Sequence, residues 1–215
     1  MYCMSPIDKI LLIGNGGHCK VVIDALYRYN PKIKIGLITE KVDPSPLFVG
    51  VDADLPKLHE EGWKMAFVAI GSIGDCSLRV KIAHSLQQLG FVCPPIIDPT
   101  AIVSASANIG NGVFIGAGAV INANAHIDQY AIVNTRSVIE HDCTIGMFSH
   151  VSPGAILCGN VSIGKHVHVG AGSLVRQSIH IGDDTVVGMG SVIVKDLPNG
   201  CIAYGAPCKI QKYDK

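Results

Sequence analysis

The chain has 215 residues, of which 48% are apolar and 16% charged, and its 17 Lys plus Arg balance its 17 Asp plus Glu. That length holds one large domain or two small ones, the apolar content excludes a disordered chain, and the even charge excludes a strongly basic surface for nucleic acid or anionic lipid. The start, MYCMSPIDKILLIG, lacks a basic segment followed by a long apolar run, and no stretch approaches ~20 continuous apolar residues, so neither a signal peptide nor a membrane span is expected.

In chain order, KILLIG (9–14) reads as a short buried strand, GNGGH (14–18) as a turn and CKVVIDALYRY (19–29) as a helix. KIKIGLI (32–38) and MAFVAIG (65–71) read as further strands, and a helix follows through SLRVKIAHSLQQLG (77–90), stopped by Gly90. Alternating strands and helices imply an α/β unit, a small Rossmann-like parallel sheet over residues 1–95. Eight cysteines, at 3, 19, 76, 93, 143, 158, 201 and 208, form no CxxC pair. They are expected to be reduced thiols filling small core positions, in a cytoplasmic protein.

From Ile97 the pattern changes. Every sixth residue through Ile193 is Ile, Val or Leu, seventeen in succession, and the residue four places on is mostly small, as at Ala101, Ala107, Ala119, Ala125, Ala131, Ser137, Cys143, Ser149 and Ala155. This is a hexapeptide β-helix repeat. Over residues 97–197 it resembles the left-handed parallel β-helix acyltransferases, in which three hexapeptides make one triangular coil of eighteen residues. The resemblance implies that hand and an assembly of three chains; residues 198–215 would form a carboxyl-terminal cap or tail. The repeat has no insertion that could form a lid. It holds 11 charged residues between 97 and 197, against 23 elsewhere, which predicts covered faces and hence lateral association of chains.

One place in the repeat breaks the small and apolar register: Glu140, His141 and Asp142 stand in a row. With eighteen residues per coil, His141 stacks between Ala123 and Gly159, which leave room for its ring; Asp142 stacks between Asn124 and Asn160, and His150 against His168. Histidine suits proton transfer near neutral pH, and a neighbouring carboxylate can fix its tautomer. Either Glu140 or Asp142 could serve. Alternation along a strand argues against both, unless a bend at the prism edge brings one back. His126, His166 and His180 read as surface or interface residues.

The segment NTRSVIEHDCTIGMFSHVSPGAILCGNVSIG (134–164) resembles the bacterial sugar acetyltransferases of this fold, which include the bacillosamine-pathway N-acetyltransferases and the sialic acid O-acetyltransferases. The resemblance implies an acetyl-coenzyme A-dependent enzyme with no metal. It makes His141 the general base and Asp142 the acid that raises its basicity. It puts His150 near the acetyl donor; in such an enzyme a backbone N–H near Gly159 is expected to hold the developing oxyanion, and the pantetheine arm to run along Gly170 and Ala171. The GNGGH turn lacks the last glycine of a full dinucleotide fingerprint, since Cys19 stands there, and by itself reads equally as a structural turn. The resemblance assigns Gly16, Gly17 and His18 to a nucleotide sugar, with Gly71 lining the same crevice. Thr39 and Glu40 align with an acidic pair that contacts the nucleotide, from which Thr39 departs.

The expected acceptor is the 4-amino group of a 4-amino-4,6-dideoxy sugar, UDP-linked in preference to GDP-linked. The rivals are a sialic acid O-acetyltransferase, a GDP-perosamine-type N-acetyltransferase and a non-catalytic scaffold on the same fold. The zinc-dependent β-helix carbonic anhydrases need an HxxxxH pair that is absent from this sequence.

Overall fold

The computed structural model describes residues 7–213. In the amino-terminal part, β1 (Lys9–Ile13), α1 (Gly17–Tyr29), β2 (Lys34–Thr39), β3 (Phe48–Val51), α2 (Leu55–Glu60), β4 (Ala66–Val68) and α3 (Ser77–Gln88) follow one another. The strands form one parallel sheet in the order β3-β2-β1-β4. The sequence reading missed β3 and α2. FVGV is a short edge strand with one buried residue, and LPKLHE is a two-turn helix that buries only Leu55 and Leu58, too short for either period to show.

The solenoid consists of seventeen two-residue strands, from β5 (Ile96–Ile97) to β21 (Val192–Ile193). Each pairs in parallel with the strand eighteen residues away, as Ile127 with Ile145 and Val133 with Val151. Three sheets result, and the six-residue aliphatics fill the prism between them; from Ile115 to Ile193 none is more than 2% exposed. The small residues fit the corners, where Ala119, Ala125, Ala131, Ser137 and Cys143 are wholly buried. Every sixth residue from Gly112 to Gly190 turns the corner with φ between 54° and 68°, the left-handed region. The corner N–H groups are satisfied by the preceding coil: Tyr130 N–H bonds the Asn111 carbonyl at 2.9 Å and Asp142 N–H that of Ala123 at 3.0 Å, while those of Gly118 and Asn124 bond the Thr100 and Ser106 hydroxyls. The chain ends in an antiparallel pair, β22 (Cys201–Tyr204) with β23 (Lys209–Tyr213), and β22 extends the eight-stranded sheet.

That eight-stranded sheet carries the amino-terminal unit. Phe114 of β8 (Phe114–Ile115) and Ile132 of β11 (Ile132–Val133) face outward from the prism, yet are 0% and 2% exposed because they pack into one core with Val22 and Leu26 of α1. Part of the charge poverty of the solenoid therefore has a cause within the chain. The six-stranded sheet supplies the remainder. Its outward column is aliphatic throughout: Ile102, Val120, Val138, Ile156, Leu174 and Val192, with Ile102, Ile156 and Leu174 at 67%, 37% and 44% exposure. The five-stranded sheet shows Asn108, His126, Thr144, Ser162 and His180 instead. The seven described cysteines are free, and five are buried; Cys3 lies outside the described residues.

An ion pair ties α1 to the first coil. Asp98, whose side chain is wholly buried, accepts from Arg28 Nε at 2.9 Å and Nη2 at 2.6 Å, and from the Thr100 hydroxyl at 2.6 Å. Burial alone would raise this carboxyl, but the bonds from Thr100 and Arg28 bring it below its usual range. A carboxylate whose pKa is depressed by folding stabilises above the unfolded value, near 4, and that contribution is lost as pH falls through the folded value. Arg28→Met is expected to cost about 1–3 kcal/mol at pH 7 by leaving a buried carboxylate short of partners. Urea unfolding checks this: the gap from wild type should narrow below about pH 4, as Asp98 takes up a proton.

Candidate active site

Three groups of residues emerge, one on the amino-terminal sheet and two on the prism. The first is a cleft of about 680 Å³ at the carboxyl ends of β1, β2 and β4, lined by Gly16, Gly17, His18, Thr39, Glu40 and Gly71 among others. All six residues that the motif assigned to a nucleotide sugar thus share one cavity, in the crevice where open parallel sheets bind ligands. The two kinds of glycine in the turn separate here. Gly14 has φ +119° and a Cβ would fall 2.8 Å from Ile70, so the fold itself demands glycine. At Gly16 and Gly17 a Cβ would meet nothing within 4 Å. Their missing side chains leave the cleft open at this wall. Thr39 is only 6% exposed and its hydroxyl bonds the Lys41 carbonyl, whereas the exposed carboxylate of Asp52 lines the cleft beside Glu40. Asp52 was missed in the sequence because it arrives from beyond β3, an element that went unread.

The second group is a groove of about 390 Å³ along one prism edge, where His150 and His168 meet Gly170, Ala171, Ile73 and Met189. His150 and His168 pair across β14 (His150–Val151) and β17 (His168–Val169), their rings edge to face at 5.2 Å. His150 Nδ1 lies 3.1 Å from the Ser72 carbonyl, which can only accept, so Nδ1 carries the hydrogen. Its Nε2 then accepts from the Asn134 amide at 3.1 Å. Burial drives His150 down to about 4 despite the Ser72 bond. His150 is therefore a neutral clamp between the loop after β4 and the prism. Gly170 has a structural duty beside its place in the groove: a Cβ there would fall 2.5 Å from Met189 N in the next coil.

The third group is the ionisable row, in the turn between β12 (Val138–Ile139) and β13 (Thr144–Ile145). Asp142 takes the left-handed corner conformation, φ 61°, which swings its carboxylate back beside its neighbour. His141 Nδ1 stands 2.8 Å from Asp142 Oδ2, and Asn124 Nδ2 reaches Asp142 Oδ1 at 3.3 Å. Hydrogen bonds from His141 and Asn124 hold the Asp142 carboxyl below its usual range. Glu140 reaches only the His141 backbone N–H, at 3.4 Å. The alternation that argued against both acids does not apply at this corner, and the acid on the imidazole is Asp142. With Nδ1–H facing a carboxylate, Nε2 keeps its lone pair; it sits over Gly159, where a Cβ would be 2.5 Å away. This arrangement is that of a general base with an orienting acid.

A second histidine–carboxylate pair, His166 Nδ1 to Asp184 Oδ1 at 2.9 Å, lines a separate cleft with His84 and Lys81. His166, which reads in the sequence as a surface or interface residue, is half-buried. His126 and His180 are exposed. Among the described residues no group of three or more His, Cys, Asp or Glu is arranged to hold a metal, and no helix is long and apolar enough to cross a membrane.

These features, a Gly-rich cleft on a parallel sheet and a histidine–aspartate pair on a hexapeptide solenoid, define a small α/β unit joined to an acyltransferase-type β-helix. Comparison with known proteins agrees with that class. The family described as PglD N-terminal domain matches residues 9–86, and that described as hexapeptide repeat of succinyl-transferase matches residues 160–195. PerB from Caulobacter crescentus, solved in complex with CoA and GDP-perosamine, is 38% identical with a TM-score of 0.88, over 98% of this chain and 100% of that one. The acetyltransferase domain of PglB from Neisseria gonorrhoeae, in complex with acetyl coenzyme A, is 35% identical with a TM-score of 0.89, over 95% and 100%. WeeI from Acinetobacter baumannii shares the fold at 23% identity and a TM-score of 0.82, over 94% and 98%. No curated protein sequence matches. The chain belongs to the sugar N-acetyltransferases of the left-handed β-helix family.

Two half-buried histidines give the protein a pH signature. Burial, with His150 and Arg79 nearby, pushes His18 down to about 3, and His150 stands at about 4. A histidine whose pKa is depressed by folding adds stability that is present above its unfolded value, near 6.5, and lost as pH falls toward the folded value. The urea midpoint should therefore decline from about pH 6.5 toward pH 4, and His150→Asn should flatten that decline. NMR titration of the His150 ring should show no protonation above about pH 5.

Proposed function

We propose that the protein transfers acetyl from acetyl-CoA to the 4-amino group of a nucleotide-linked 4-amino-4,6-dideoxy sugar. The observation that carries this reading is the His141–Asp142 pair, with Nε2 unbonded over the backbone of Gly159. In the step envisaged, the amine nitrogen attacks the thioester carbonyl and His141 Nε2 takes its proton. The carbon–sulfur bond then breaks, and the departing thiolate of CoA recovers a proton. Asp142 keeps Nδ1–H in place and stabilises the imidazolium. A backbone N–H near Gly159 would hold the oxyanion.

A division of labour follows: residues 1–95 hold the acceptor and 96–197 the donor and the base. Gly16, Gly17 and His18 would hold the diphosphate, with Thr39, Glu40 and Gly71 along the nucleotide; His150, Gly170 and Ala171 would line the pantetheine path. UDP is the nucleotide that the motif resemblance implies. GDP is the second reading, supported by the GDP-perosamine bound to PerB. Glu40 and Asp52 on the cleft also suit guanine, whose N1–H and exocyclic amine both donate to carboxylates.

The third part of the reading is a homotrimer. His141 lies at the vertex where the six- and five-stranded sheets meet, opposite the face that carries the cleft. Base and acceptor would therefore come together between chains, with the aliphatic column of the six-stranded sheet covered by a neighbour. Light scattering on Leu174→Arg is expected to show smaller species than wild type at micromolar concentration, with activity lost in step. A wild-type monomer would refute the assembly.

Release of CoA measured against UDP- and GDP-linked 4-amino sugars, with sialic acid as the O-acetylation control, tests the substrate class. On the accepted sugar, His141→Ala in an intact assembly should lower turnover by about a hundredfold to ten-thousandfold, and Asp142→Asn by less, because the imidazole remains. Near-wild-type turnover by His141→Ala would leave the pair a structural ornament of the corner.

A further inference from the structure

One buried charge takes no part in the chemistry above. The inward stripe of α3 reads Arg79, Ala83, Leu86, so that a guanidinium occupies a core position and is only 3% exposed. Its Nη1 donates to the Phe148 carbonyl at 3.0 Å and the Ser72 hydroxyl at 3.3 Å, and its Nη2 to the Tyr130 carbonyl; the group also stands 5.7 Å from the Phe148 ring. Nε has no partner. Every acceptor is a neutral oxygen, and no carboxylate pairs with Arg79 among the described residues. Burial lowers its pKa only to about 10, so it remains a cation at neutral pH.

A buried charge ordinarily has a counterion, because desolvation costs several kcal/mol and carbonyl dipoles repay only part of it. Glu40 and Asp52 put carboxylates on one wall of the neighbouring cleft, but the start of α1 on its other wall has none. Helix α1 begins there without a side-chain cap and without an acid in its first turn. Its first N–H groups and its positive dipole end therefore face the open space over Gly16 and Gly17. Ser72, which Arg79 holds, directly follows Gly71 on the cleft wall. His18, also on that wall, is close enough to be depressed by Arg79 and stays neutral, so it screens nothing.

We propose that Arg79 is a positioning residue for the acceptor, a buried counter-charge to the diphosphate of the nucleotide sugar that also fixes the wall of the cleft through Ser72. This rests on the reading of the cleft as the nucleotide-sugar site. The guanidinium need not touch the ligand: at low local dielectric an unpaired charge acts over several ångströms, and the helix end supplies the direct bonds. The rival account is a plain rivet, in which Arg79 only joins α3 to the prism corners at Tyr130 and Phe148.

Full-length Arg79→Gln and Arg79→Lys distinguish the two. Calorimetric binding of UDP, UMP, GDP, GMP and CoA is measured at low and high salt, beside melting temperature and assembly size. The counter-charge account expects Arg79→Gln to bind the diphosphate wild type prefers about tenfold or more weakly, and the monophosphate with a smaller loss. CoA affinity should stay within about twofold, and Arg79→Lys should restore most diphosphate binding. Wild-type diphosphate affinity in Arg79→Gln overturns the inference. So does an equal loss for diphosphate, monophosphate and CoA in both variants, which is the rivet result. Should Arg79→Gln fail to fold, Arg79→Lys decides: retention supports the counter-charge, and loss overturns it. A wild-type protein that binds neither UDP nor GDP removes the cleft assignment itself, and the inference with it.

Discussion

The eighteen-residue register constrains everything else in this molecule. Parallel strands of two residues cannot be stable alone; each gains its hydrogen bonds and its buried aliphatic only from the coils above and below. A slip of one residue would turn Ile and Val outward and put charges into the prism, so the spacing tolerates no local adjustment. The corners bear the strain, since even Tyr130, Arg136 and Phe148 adopt positive φ there, at a cost of roughly 1 kcal/mol each. That strain is what makes the site. The turn that each coil must make is the turn that brings the Asp142 carboxylate to the His141 ring, and the coil above must leave room at Gly159 for the ring to stand.

The same register explains how a rigid prism can carry three cavities. A solenoid has no interior pocket, because aliphatic side chains fill its axis. Ligand space has to come from what is laid against it. The loop after β4 does this in a few residues: Gly71 lines the amino-terminal cleft, Ile73 the groove of His150 and His168, and Gly74 the cleft of His166 and Asp184. The loop is held at its middle by Ser72, whose carbonyl accepts from His150 and whose hydroxyl accepts from Arg79. A shift of Ser72 would therefore move the walls of two cavities at once. This gives the cleft and the groove a physical link through one short segment.

The solenoid was legible because its period is strict and long; seventeen repeats leave no other reading, and the family and its activity came with the EHDC segment. The parallel sheet was legible in three of its four strands. What stayed hidden has particular causes. The choice between Glu140 and Asp142 depends on a backbone angle, and alternation along a strand gives the wrong answer at a corner. Covering of Phe114 and Ile132 by α1 could not be told from covering by another chain, since charge poverty records only that a face is dry. Asp52 came from beyond an unread edge strand. Arg79 could have been found: an arginine at the i position of an i, i+4, i+7 buried stripe is visible in SLRVKIAHSLQQ, and its misfit with that stripe is itself the signal.

The glycines teach a similar distinction about what a motif means. Gly14, Gly16 and Gly17 look equivalent in the sequence, and a tight turn would account for all three. Only Gly14 is required by the fold, through its positive φ and the side chain of Ile70. The fold would accept side chains at Gly16 and Gly17, and their absence leaves that part of the cleft open. Gly170 shows the converse, since the residue marked by resemblance as a donor contact is also one whose Cβ the next coil forbids. Open space at a helix end leaves room for a ligand, whereas a glycine already fixed by packing says nothing of one.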